Sequence, residues 1–278
     1  MLDLYEKTTF GCSKLITELY STSFTLGIKT LDRKFHGPIY AIYGFVRYAD
    51  EIVDTFHDFD KKVLLDRYKY EAFRSIEEGI SLNPVLHSFQ KVVHQYKIES
   101  ELIAAFLHSM EMDLFNVVYD DSGYDEYIYG SAEVVGLMCL RVFCEGNQVL
   151  YDKLKADARS LGAAFQKVNF LRDLKSDFSE RGRVYFPGVD FNDFGIEAKK
   201  IIEADIQKDF DNAYRGIIGL PDGARKGVYL AYVYYLKLFD CIKRTSANRI
   251  QHERIRVPDR IKFALLAKTL VQSGLNAL

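Results

Sequence analysis

No stretch rich in proline, glycine or serine divides this chain, and five prolines in 278 residues leave little to interrupt regular structure. A linker between two domains is not expected, so the chain should fold as one domain over residues 1–278. That length is enough to bury a sizeable core. Basic residues are not in excess: 37 Lys and Arg against 39 Asp and Glu leave a net charge of -2. Nucleic acid is therefore not an expected partner, because a phosphate backbone demands a basic face. The four cysteines, Cys12, Cys139, Cys144 and Cys241, form no C-x-x-C pair and have no histidine set nearby, so reduced, buried thiols in a cytoplasmic protein are expected. The first turns carry Asp3, Glu6 and Lys7 in place of the basic start and apolar run of a secretory signal. The longest apolar run, Val228 to Phe239, is broken by Lys237 and is too short to span a bilayer. The protein is expected to be soluble, or at most peripheral to a membrane.

What the sequence does contain is helical periodicity with two acidic faces. From Gln166 to Asp177, a spacing of about 100° per residue puts Asn169, Asp173 and Asp177 in one narrow arc with Gln166 beside them. Val168, Phe170, Leu171 and Leu174 can pack inward, so the polar stripe borders apolar surface. Carboxylates four apart on a helix repel each other by about 0.2–0.5 kcal/mol, and a divalent cation would offset that cost. The pattern occurs once more upstream, where Tyr43, Arg47, Asp50 and Asp54 share a face. One D-x-x-x-D pair matches easily by chance. Two of them, each in an otherwise apolar helix with an arginine nearby, suggest a single shared site. Magnesium takes oxygen ligands and is usually held by one or two carboxylates plus the phosphates of a substrate. The implied ligands are Asp50, Asp54, Asn169, Asp173 and Asp177, with manganese as a substitute ion and a diphosphate as substrate. Neither segment has the loop spacing of an EF-hand or a Walker-type phosphate loop.

Asp50 to Asp54, Gln166 to Asp177, the Arg-Gly-Arg-Val-Tyr-Phe-Pro that follows, and Tyr127 to Met138 together resemble the squalene and phytoene synthase family. The resemblance runs from Ser21 to about Lys262. It implies an all-α isoprenoid synthase, a helical bundle around a central cavity. It also implies roles for residues that spacing alone leaves open. Ser21, Ser23 and Phe24 fall where the family has a Ser-x-Ser-Phe that contributes to the diphosphate and prenyl site, although hydroxyl-rich helix breaks commonly bond their own backbone. Arg183 and Tyr185 belong to a loop, Ser179 to Pro187, long enough to fold over a bound anion as a flap. Arg254, in the basic run Arg249 to Lys262, is by resemblance a diphosphate contact, joining Arg47 and Arg183. Glu133 and Val134 depart from the Gly-Thr usual in the family.

Taken in order, the periodicity predicts a helix from Leu4 to Thr30 broken at Ser21, and one that Pro38 opens and that ends near Phe56. Three amphipathic helices should follow between 61 and 118, separated near Gly79–Pro84 and Lys97–Ser100. Glu111 and Asp113 sit in a largely apolar turn there, with no assigned role beyond positioning. His87, His94 and His108 lack ligand spacing. Small residues (Gly130, Ser131, Ala132 and Gly136) interrupt a bulky run, serving either close helix packing or a cavity for a long apolar ligand walled by Val135, Leu137 and Met138. Helices are expected from Asp152 to Phe178, Ile196 to Ile218, Asp222 to Ser246 and Pro258 to Leu275. The tyrosines of the third of these, Tyr229, Tyr232, Tyr234 and Tyr235, are expected mostly in the core.

The chemistry that follows is ionisation of an allylic diphosphate, with the carbocation kept from water in an apolar chamber and faced by the rings of Phe24 and Tyr43. The resemblance supplies the reaction: two prenyl diphosphates joined head to head through a cyclopropylcarbinyl diphosphate. Asp50, Asp54, Asp173, Tyr43 and Arg47 would form the catalytic set, and Gln166 would orient the second acidic face. Two geranylgeranyl diphosphates giving phytoene, without NADPH, is the expected case. A squalene or dehydrosqualene synthase using farnesyl diphosphate is the near alternative. A non-catalytic assembly relative, which should have lost its acidic faces, is the distant one.

Overall fold

The computed structural model describes residues 1–115, 119–181, 183, 185–188 and 194–257, with the side chains of 179–181 excepted. Among these residues the chain is α-helical throughout and contains no strand. Helices α1 (Leu2–Tyr20) and α2 (Thr22–Lys29) meet at Ser21, whose extended backbone interrupts the helix and whose hydroxyl accepts the Phe24 N–H as an N-cap. Helix α3 (Arg33–Asp54) carries the first acidic face. Its start corrects one expectation: Pro38 does not open the helix but lies five residues inside it. The first four N–H groups of a helix have no partner, so a proline this close to the N-terminus forgoes little hydrogen bonding beyond that.

Helices α4 (Lys61–Glu78), α5 (Pro84–Tyr96) and α6 (Ser100–Phe115) fall where periodicity places them. Asp60 caps α4 at the Val63 N–H, and Gly79 ends it at φ 68°, a left-handed position suited to glycine. Asn83 caps α5, with Pro84 in its first turn. A ring stack joins these elements to α3: Phe45 lies parallel to Phe89 at 3.9 Å and against Tyr68 and Phe106. All four rings are buried.

The small-residue segment forms α7 (Asp121–Ile128), a π-helical turn (Tyr129–Glu133) and α8 (Val134–Cys144) without a break in direction of the chain. A sequence period of 3.6 gives no signal for the π turn. This stretch, rather than Val228 to Phe239, is the one among the described residues long and apolar enough to cross a membrane, and most of it is buried inside the bundle. Its glycines answer the question of close packing. A Cβ on Gly130 would stand 2.6 Å from the Ala105 carbonyl of α6. A Cβ on Gly162 of the neighbouring helix would stand 2.7 Å from the Ala132 carbonyl.

That neighbour, α9 (Gln148–Arg181), bears the second acidic face and packs on α8, the π turn and α10 (Ile196–Gly219). Helix α11 (Asp222–Lys243) and the short α12 (Ala247–His252), capped by Ser246, complete the described chain. The helix expected from Pro258 to Leu275 lies outside the described residues. All four cysteines are free thiols; Cys144 is buried, whereas Cys12, Cys139 and Cys241 are partly exposed.

Candidate active site

Helices α3 and α9 face each other across a cavity of about 590 Å³. Asp50 and Asp54 line it from α3, and Gln166, Asn169, Asp173 and Asp177 line it from α9. Tyr43, Arg47, Ser21, Ser23, Phe24, Arg183, Tyr185 and Arg254 also reach it. Both acidic faces thus border one space, as their matching periodicity suggests. All the oxygen donors are carboxylates or an amide, with no thiol or imidazole among them.

Arginines hold these carboxylates. Arg47 donates to Asp50 at 2.6 Å and pairs with Glu51 one turn on, its guanidinium lying over the Tyr20 ring at 4.4 Å. Glu51 is thereby accounted for as a structural partner on the flank of the face. Arg254 Nε lies 2.7 Å from Asp173, and Arg172 donates to the same carboxylate at 3.1 Å. Arg172, Tyr234 and Tyr235 were not expected at the site. The Tyr235 hydroxyl donates to the Asn169 amide oxygen at 3.2 Å, and its ring stacks on Phe165 at 3.9 Å. Two of the four tyrosines of α11 therefore line the cavity, while Tyr232 stays in the core.

Beneath the α3 carboxylates lies a buried polar group that the sequence left without a role. Asp113 of α6 accepts the Tyr127 hydroxyl at 2.8 Å and sits 3.5 Å from Arg183. Arg183 bridges it to α3, donating to Asp54 at 3.2 Å and to the Asp113 carbonyl at 2.9 Å. Its own N–H closes a turn onto the Asp177 carbonyl at 2.9 Å. Burial pushes the Asp113 carboxyl up to about 7, against the opposing pull of Arg183 and Tyr127. Burial also works against the Arg183 charge, but Asp113, Tyr185 and Asp54 outweigh it and raise its pKa. Tyr185 stacks on Phe170 at 4.0 Å. Arg183 and Tyr185, read in the sequence as parts of a flap, are thus buried and folded into the site. The signal for Asp113 was a carboxylate set between Met112 and Leu114 in a largely apolar turn, which has no reason to be buried there unless something pairs with it.

The polar cavity runs into a second, apolar one of about 290 Å³. Ser23, Phe24, Val46, Ser131, Phe165 and Gln166 line both and form the neck. At the neck Phe24 stacks on Tyr43 with ring centroids 4.9 Å apart. Ser21 both caps α2 and reaches the polar cavity, so its two readings hold together. Val135 is part of the apolar wall, but Leu137 and Met138 are not. They are fully buried on the opposite side of α8, because the wall-forming positions are 131/132, 135/136, 139/140 and 143, at helical spacing. Glu133 and Val134 do not line either cavity. Glu133 pairs with Arg159 at 2.5 Å between the π turn and α9, and Val134 is in the core, so the departure from Gly-Thr leaves the wall to Ala132 and Val135.

An all-helical bundle with two acidic helix faces opening onto an apolar chamber is an isoprenoid synthase fold. The chain superposes on a dehydrosqualene synthase with a TM-score of 0.82 at 20% identity, over 98% of each chain. It superposes on a squalene synthase from Alicyclobacillus acidocaldarius with a TM-score of 0.75 at 21% identity, over 87% of this chain and 95% of that one. The squalene/phytoene synthase profile matches residues 17–260, and the chain belongs to that family, a family of prenyltransferases. Phytoene synthase from Cereibacter sphaeroides is 26% identical over 92% of this chain and 76% of its own length. Phytoene synthase 1 of Solanum lycopersicum is 26% identical over 89% of this chain, which spans 64% of that protein. The 4,4'-diapophytoene synthase of Staphylococcus haemolyticus is 24% identical over 70% of this chain and 67% of its own.

Proposed function

We propose that this chain condenses two prenyl diphosphates head to head with magnesium, and that the natural substrate is geranylgeranyl diphosphate, giving phytoene without NADPH. The observation that carries the proposal is one continuous space with two characters. Opposed carboxylates and arginines surround its mouth, and aliphatic and aromatic side chains enclose its depth. A prenyl diphosphate has the same two halves.

The donor set fits magnesium. Carboxylates and an amide reach the cavity from two walls, which suits an ion held by one or two carboxylates and completed by substrate phosphates. Asp50 and Asp54 would hold it from α3; Asn169, Asp173 and Asp177 would hold it from α9. When bound, magnesium neutralises the charge that develops on the leaving diphosphate. Arg47, Arg183 and Arg254 bind the diphosphate oxygens, turning from the carboxylates that they now engage. Gln166, at the neck beside the second acidic face, orients the group that reacts. Phe24 and Tyr43 present ring faces to the allylic cation, and Val135 with the rest of the apolar wall keeps water from it. The buried side chains of Arg183 and Tyr185 close the site from the side of α6.

Incubation of the purified protein with magnesium and farnesyl or geranylgeranyl diphosphate, each with and without NADPH, tests the proposal by mass analysis of the lipid extract. A forty-carbon hydrocarbon without NADPH is expected. A thirty-carbon product alone would move the substrate to farnesyl diphosphate, as the diapophytoene synthase relative would suggest. A folded sample that releases no pyrophosphate from either would overturn the enzyme and favour an assembly role.

A further inference from the structure

The depth of the apolar chamber can be measured along its own walls. Along the π turn and α8 the lining runs from Ser131 at the neck to Phe143, twelve residues on, and at a rise of 1.5 Å per residue this is about 18 Å. On α9 it runs from Phe165 at the neck back to Leu154, eleven residues, or about 16 Å. The two walls agree. At the far end Phe143 packs edge-on against Phe35 with centroids 5.5 Å apart, and Leu154 is 3% exposed, so the floor is firm.

A polypeptide advances about 3.5 Å per residue when extended, or roughly 1.2 Å for each of its three backbone bonds. On that scale the main chain of a farnesyl group, with eleven carbon–carbon bonds, reaches about 13 Å, and that of a geranylgeranyl group, with fifteen, about 18 Å. Cys139 lies eight residues from Ser131, about 12 Å below the neck, and Ala158 faces the same space from α9, about 10 Å from Phe165. A farnesyl tail ends at that level. The floor lies a further isoprene unit below it. Both side chains are small, and the Cys139 thiol on the apolar wall, its pKa raised to about 12 by loss of hydration, stays uncharged and behaves as an apolar group.

We propose that Cys139 and Ala158 determine prenyl chain length: their small side chains leave the chamber open at the end of a farnesyl tail, so that a fourth isoprene unit extends to Phe143 and Leu154. This rests on the reaction proposed above and names its substrate from geometry.

The test is competition between equimolar farnesyl and geranylgeranyl diphosphate, read as the ratio of forty-carbon to thirty-carbon head-to-head product. The wild-type protein should favour the forty-carbon product. Cys139→Phe should lower that ratio about 10-fold or more while still making thirty-carbon product, since filling a hydrophobic pocket by even one methylene is worth that much. Ala158→Leu, acting from the opposite wall, should shift it the same way and decides the matter if Cys139→Phe does not fold by circular dichroism. A wild-type protein that makes only thirty-carbon product, or folded variants whose ratio matches wild type, would overturn the gate while leaving the reaction intact. No head-to-head product from the wild type would overturn the reaction itself.

Discussion

Asp113 holds a proton longer than an ordinary aspartate because burial penalises its charged form more than Arg183 and the Tyr127 hydroxyl favour it. Its pKa rises from 3.8 in the unfolded chain to about 7 in the fold. The folded state therefore binds more protons across that interval, and stability falls as pH rises through it. Below about 4 the contribution is fully present, and above about 7 it is lost. Asp113→Asn should flatten this slope, which denaturant melts of both proteins between pH 4 and 8 would show; parallel slopes would contradict it. Arg183 is the matching partner. Its side chain is 8% exposed and bridges Asp54 to Asp113, so Arg183→Ala leaves a buried polar pair without its cation. The expected loss is about 3–5 kcal/mol of stability, measured by the same melts. Arg183→Lys should recover only part of it, since one ammonium cannot bridge in the way that a planar fork does.

At the scale of elements, the interface between α8, the π turn and α9 has no spare room. Gly162→Ala would place a methyl 2.7 Å from a backbone carbonyl that has no rotamer to move into. A destabilisation of about 1–3 kcal/mol is expected. Phe45→Ala, which empties the centre of a four-ring cluster under the first acidic face, should cost about 3–5 kcal/mol. Calorimetric melting of each variant measures both. These elements also show what the sequence made legible. Helices α4 and α5 were readable because side-chain caps, Asp60 and Asn83, stand at their starts and a left-handed glycine ends α4. The two acidic faces were readable because i, i+4 spacing survives any packing. Leu137 was not, because an apolar residue in a helix that is buried all round carries no mark of which side faces the cavity. The π turn, Pro38 inside α3, and the meeting of Asp113 with Arg183 across 70 residues depend on tertiary contacts that no local pattern encodes. Tyr234 and Tyr235 reach the site for the same reason: the stripe that looks like core is bordered by a space that only the assembled bundle creates.

For the molecule as a whole, the arrangement divides labour between a charged mouth and an apolar depth, and the two are joined at a neck where aromatic rings and Gln166 meet. The central claim is that α3 and α9 hold one ligand together. It is tested by titrating a non-hydrolysable thio-analogue of geranylgeranyl diphosphate, with magnesium, into the wild-type protein, Asp50→Asn and Asp173→Asn by calorimetry. Each single substitution should weaken binding by about 2 kcal/mol or more, roughly 30-fold, and magnesium should be required for tight binding in the wild type. If either substitution left the affinity at its wild-type value, the two acidic faces would not share a ligand, and the account of the site would be wrong.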